Sequence, residues 1–117
     1  MTRARRTAAL AIAATIAAGL VGCPSAGRDD GLDAARLPAE VRGDYAVFAQ
    51  RCSKCHSLSR PLESGITDDR FWVAYVARMR RQPGSGISHA DEVPILRFLH
   101  YYSAAQASRD ESKEGGR

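Results

Sequence analysis

Cys52-Ser53-Lys54-Cys55-His56 sets two thiols three positions apart and an imidazole directly after the second. On one helical turn, residues so spaced face the same way. Any group that both thiols hold therefore lies on one side of the segment, and the rest of the chain has to fold around that side. Few residues are free to do so. Helical apolar periods are confined to three segments over roughly 65 residues. The first opens at Pro38-Ala39-Glu40, after which Val41, Tyr45, Phe48 and Cys52 recur at spacings of four, three and four. The second starts at Thr67-Asp68-Asp69, with acid in its first turn, and carries a stripe of Phe71, Trp72, Tyr75, Val76 and Met79. Gln82-Pro83-Gly84-Ser85-Gly86 ends it. The third runs from Ser88 or Asp91 to about Ala104. Ser88 with Asp91 makes a capping pair but leaves Pro94 several positions inside, where it removes a backbone donor. An Asp91 start puts Pro94 in the first turn, and the sequence leaves both options open. The stretch 57–65, with Pro61 and Gly65, reads as a loop. There is no internal repeat and no alternating strand pattern. The expected fold is all-α, with about three helices, and a core that small rarely stabilises itself without a staple.

The cysteine motif offers such a staple. C-x-x-C-H is the attachment signature of haem c. Two thiols at this spacing reach the two vinyl groups of a porphyrin and form thioethers, and the adjacent imidazole lies under the iron. A zinc site needs further spaced ligands; His89 and His100 could contribute, but the chain has no second C-x-x-C. A thioredoxin-like pair needs a βαβ context. A plain disulfide gives no reason for His56. One covalent haem held by Cys52 and Cys55, with His56 on the iron, is the reading that uses all three residues.

The segment around the motif resembles class I cytochromes c. There a helix leads into C-x-x-C-H and an aromatic residue stands four before the first Cys, the position of Phe48. The family's helix-contact Gly, eight before that Cys, is Asp44 here, with Gly43 one place off. The family's last helix brings aromatic residues to that contact, and Phe98, Tyr101 and Tyr102 are available for it. The chain is also similar to small haem domains with a Trp-x-x-x-Val-x-x-Met segment, matched by Trp72, Val76 and Met79. In those domains the Met is an axial ligand. The resemblance implies a small cytochrome c-like fold over residues 39–105.

Met79 is the only Met besides the initiator. A thioether suits haem iron and raises its potential, while a Met on a helix also commonly just fills core. His89, His100 or an open site are the alternatives. The 22 residues between His56 and Met79 can span up to ~70 Å extended, so reach is not limiting. Trp72 serves as core, as a propionate contact, or as both. Arg78, Arg80 and Arg81 bracket Met79 as a solvated face, a propionate partner or a docking patch for an acidic redox partner.

The N-terminus gives the compartment. Arg3, Arg5 and Arg6 precede an uncharged run to Leu20, the n- and h-regions of a signal peptide. The run is short of the ~20 residues that span a bilayer. Leu20-Val21-Gly22-Cys23 resembles the lipobox of bacterial lipoproteins, which implies that residues 1–22 are removed and Cys23 is lipidated. Plain cleavage near Gly22, giving a soluble periplasmic protein, is the alternative. Residues 24–37 read as a flexible tether with a reach of ~20 Å. Residues 106–117 read as a disordered polar tail. Losing three arginines leaves 14 basic and 13 acidic residues, so the net charge falls from +4 to +1. The basic precursor therefore carries no argument for nucleic-acid binding.

No general base, nucleophile or substrate pocket is indicated, so the chain is not expected to be an enzyme or to take a small-molecule substrate. The expected function is one-electron transfer between redox proteins on the periplasmic side of a membrane. A haem subunit of a larger redox enzyme, or a sensor or peroxidase-like protein with an open distal site, is the alternative.

Overall fold

A computed structural model describes residues 30–116. Residues 1–22, read as a signal peptide, Cys23, read as lipidated, and the first part of the stretch read as a tether, up to residue 29, lie outside the described residues. Among the described residues every regular element is helical. They are a 3-10 turn over Ala34–Arg36, α1 over Ala39–Cys52, the single turn α2 over Ser59–Leu62, α3 over Asp69–Arg80 and α4 over His89–Glu114. The all-α expectation holds, and none of these helices is long and apolar enough to cross a membrane.

Helix α4 is the centre of the packing, with α1 on one side and α3 on the other. The stripe expected on α1 is the face that is buried: Val41, Tyr45, Phe48 and Cys52. It meets Ile95, Phe98 and Leu99 of α4, while Trp72 and Val76 come from α3. Phe98 lies 4.7 Å from the Phe48 ring centroid and 5.1 Å from that of Tyr45. Trp72 is sealed in this core, and its indole N–H donates to Ser103 Oγ at 2.6 Å. Ser103 in turn donates to the Ile66 carbonyl at 3.1 Å. The buried hydroxyl and indole are thereby both satisfied.

Asp44, at the position where the resembled family has Gly, makes a different helix contact. Arg97 of α4 donates to it twice, Nε at 2.9 Å and a terminal nitrogen at 2.7 Å. A Cβ on Gly43 would meet nothing within 4 Å, so neither residue marks a close approach of backbones.

Three boundaries differ from the sequence reading. The stretch read as a tether is docked from residue 30 onward. Leu32 N–H donates to Tyr45 Oη at 2.6 Å, and Leu37 is buried. A Cβ on Gly31 would lie 2.5 Å from that same hydroxyl, so only glycine lets the chain pass. The stretch 57–65, read as loop, contains the turn α2. The tail read as disordered from residue 106 is instead helical to Glu114. Its residues are polar but mostly good helix formers, and no breaker occurs before Gly115.

The start of α4 is decided by Ser88. Its hydroxyl accepts from Asp91 N–H at 3.1 Å, and the Asp91 carboxylate accepts from Ser88 N–H at 2.8 Å, a complete capping box. Pro94 therefore sits inside the helix. The carbonyl that loses its helical donor is that of Ala90, an exposed residue in the first turn.

This cap makes stability depend on acid. Hydrogen bonds from Ser88 hold the Asp91 carboxyl below its ordinary range. Asp68, capping α3, is lowered by the Arg70 amide, and Glu92 by the Arg80 side chain. Lowered folded-state values stabilise the fold above the unfolded-state value, and that stability is lost as pH falls through the folded-state value. The thermal midpoint should be flat above about pH 5 and fall progressively below about pH 4. Melts followed by circular dichroism check this, with Asp91→Asn showing a shallower acid dependence. A midpoint that holds steady down to about pH 2.5 would contradict it.

Candidate functional site

The last turn of α1 buries Cys52, and the chain then leaves the helix, so Cys55 is exposed and His56 half-buried. The two thiols are not bonded to each other. Burial pushes the Cys52 thiol up to about 12, which keeps it protonated at neutral pH.

His56 is held by its neighbour. Its Nδ1 lies 2.9 Å from the Ser57 carbonyl oxygen. A carbonyl only accepts, so Nδ1 carries the proton and donates. In the neutral ring that leaves the lone pair on Nε2, the arrangement a metal-ligating imidazole uses.

Opposite stands the end of α3 with the segment that follows it. Gly84 and Gly86, at φ of 76° and 64°, turn the chain back in a conformation that other residues rarely adopt. Ser85 Oγ donates to the Arg80 carbonyl at 3.1 Å and accepts from Ile87 N–H at 3.3 Å, fixing the turn. The result is a cleft of about 240 Å³. Cys52, Cys55 and His56 line one part of it, and Met79 with Gln82, Pro83, Ser85 and Ile87 the rest. Four of the residues singled out from the sequence, far apart in two separate segments, thus share one cavity.

The other candidates do not line it. Trp72 is inside the helix packing with its N–H satisfied by Ser103. His89 is exposed at the start of α4, 3.2 Å from Glu92 Oε2. His100 faces Asp69 at 3.8 Å. Neither histidine joins the cysteines, and among the described residues no group of three or more His, Cys, Asp or Glu side chains is gathered to hold an ion. Cys23 lies outside the described residues.

The arginine run divides. Arg80 pairs with Glu92 at 2.7 Å and ties α3 to α4. Arg78 lies 5.5 Å over the Tyr75 ring, and Arg81 is exposed at the end of α3.

Two features of the site were not read from the sequence. Arg51 lines the cleft, its side chain held by Asp91 with Nε 3.2 Å from Oδ2 and a terminal nitrogen 3.3 Å from Oδ1. Its place directly before Cys52 was the available signal. The second is Asp30, whose carboxylate accepts from Ser57 Oγ and, at 2.9 Å, from Leu58 N–H. Nothing in the sequence pairs residue 30 with the motif.

The donor set fits a covalent haem. Two thiols, an imidazole with free Nε2 and a thioether surround one cleft, and Arg51 adds a guanidinium for an acid group. At about 240 Å³ the cleft is smaller than the ~300–1,000 Å³ of pockets that enclose a drug-sized ligand, so a group as large as a porphyrin would stand partly outside it. Compared with family models, with curated proteins and with solved structures, the chain matches none.

Proposed function

We propose that this chain is a monohaem c-type cytochrome, a one-electron carrier on the periplasmic side of a bacterial membrane. The observation that carries the reading is the meeting of Cys52, Cys55, His56 and Met79 in one cleft. Cys52 and Cys55 would hold the porphyrin as thioethers, and His56 Nε2 and the Met79 sulfur would be its ligands to iron. Bound there, haem supplies the ferric–ferrous couple. The Ser57 carbonyl orients His56, the Gly84–Gly86 turn closes the Met79 side, and Arg51, held by Asp91 at the cleft, would offer a cation to a propionate. An exposed porphyrin edge suits transfer to redox protein partners. Arg78 and Arg81, beside Met79, present positive charge to an acidic one. Lipidation at Cys23 would keep the domain at the membrane surface, since multiple acyl chains anchor stably.

Substitution of Met79 tests the reading. Ferric protein should show the weak charge-transfer band of sulfur-to-iron coordination, and Met79→Ala should lose it and admit carbon monoxide in the ferrous state. Met79→His should stay low-spin and lower the potential by ~0.1 V or more, on the scale of the ~0.8 V that axial ligands span. If Met79→Ala keeps its spectrum while His100→Ala or His89→Ala loses it, the ligand is a histidine. If wild-type ferrous protein already binds carbon monoxide, the site is open and the carrier reading gives way to a sensor or peroxidase-like one.

A further inference from the structure

The carboxylate of Asp30 reaches the site through a single peptide group. Leu58 N–H, which donates to Asp30 Oδ2 at 2.9 Å, belongs to the same amide as the Ser57 carbonyl. That carbonyl accepts from His56 Nδ1 at 2.9 Å. Ser57 Oγ is a second donor to the same carboxylate oxygen and also lies 2.6 Å from Ser59 Oγ. The hydrogen bond from Ser57 is the main reason that the Asp30 carboxyl titrates below its ordinary range, so Asp30 is an anion at neutral pH.

An anion accepting from an amide N–H draws positive charge toward nitrogen and leaves the carbonyl oxygen more negative. Hydrogen bonds in such a chain polarise one another. The oxygen that becomes more negative is the one that holds the His56 Nδ1 proton. A stronger bond at Nδ1 makes Nε2 more basic, as a carboxylate does when it contacts a ligating histidine directly.

The geometry points to Asp30 as a positioning residue that raises the basicity of His56 through the Ser57–Leu58 peptide and so stabilises ferric iron. The inference rests on the haem reading. It also gives the docked segment at residue 30 a function beyond packing. Removing the charge at Asp30 should shift the ferric–ferrous equilibrium toward ferrous iron.

Asp30→Asn separates charge from shape, because the carboxamide oxygen can still accept from Leu58 N–H. In the full haem-loaded chain, spectroelectrochemical titration of Asp30→Asn should show up to a tenfold change in the equilibrium, an upward shift of ~59 mV for one electron. The thermal midpoint should fall slightly at neutral pH, by the loss of one charged acceptor, while the circular dichroism spectrum stays that of the wild type. In the reduced, diamagnetic protein the His56 Nδ1–H resonance should move upfield, reporting a weaker bond. Asp33→Asn, which removes a nearby charge that touches only its own turn, should move neither readout. A haem-loaded Asp30→Asn chain with the wild-type potential and Nδ1–H resonance overturns the inference alone. So does a potential that moves equally in Asp33→Asn, which makes the effect a general charge effect, or one that moves only where circular dichroism shows a changed fold. A wild-type chain without covalent haem overturns the haem reading, and this inference with it.

Discussion

In the double variant Cys52→Ala/Cys55→Ala, the haem-stained band of a denaturing gel should vanish, against a full band from the wild-type chain. Thioethers are the only bonds in the proposed site that survive denaturation. The proposed ligation of iron by His56 and Met79 would end once the cleft unfolds. Single variants keep one possible thioether and should give a weakened band or none. His56→Ala removes the imidazole but neither thiol, so its effect should fall on the low-spin spectrum more than on the stain. Stability should follow. A core of this size rarely supplies more than ~3–5 kcal/mol by itself, and a group that binds only the folded chain adds to that. The double variant should therefore melt well below the haem-loaded wild type by circular dichroism. A wild-type chain that carries no stain after export from a cell competent in haem attachment would end the proposal.

Phe98→Ala should be the most damaging single change in the polypeptide core. Phe98 is fully buried. Its ring meets Phe48, Tyr45 and Tyr102 at 4.7, 5.1 and 5.9 Å between centroids. It is thus the point where α4 grips α1. Truncating a buried Phe costs ~3–5 kcal/mol, the lost transfer energy plus the cavity left behind. Against a domain whose polypeptide contributes about as much, that loss would leave the chain dependent on the proposed haem for folding. Val93→Ala is the control. Val93 lies on the same helix but is 56% exposed, so its truncation should stay within ~0.5 kcal/mol. Urea unfolding of both variants checks the contrast. A Phe98→Ala cost below ~1 kcal/mol would mean that α1 and α4 are held by something other than this aromatic cluster.

How far the fold was legible varies by element. The apolar spacing on α1 predicted its buried face residue for residue, because the helical period puts Val41, Tyr45, Phe48 and Cys52 on the side that the rest of the fold covers. The stripe on α3 was read too wide: Trp72 and Val76 are buried, but Phe71 is 40% exposed. Periodicity reports which residues share a face, not how much of that face a partner covers. The length of α4 was misread because polarity was taken as a stop. A helix stops at a residue that breaks it or at a cap, and polar helix formers do neither. The choice between Ser88 and Asp91 could not be made locally, since both are good caps. It was settled by the reciprocal bonds of the capping box, with Pro94 inside the helix where its missing donor faces the first turn at exposed Ala90.

By itself the sequence determined the all-α class, the helix that leads into the C-x-x-C-H motif, and which residue types could serve as donors. Each follows from chemistry confined to a few neighbouring positions: residue type, spacing along one turn, and helix period. Only the tertiary structure decided which of them meet. Met79 was brought to the cysteines and His56, while Trp72 was drawn into the core and His89 and His100 were left elsewhere on α4. The tertiary structure alone also joined Asp30 to Ser57 and Leu58, 27 and 28 positions away. Such contacts depend on how α1 and α3 pack on α4 and on a turn built from Gly84 and Gly86. Packing is a property of surfaces that no single segment contains.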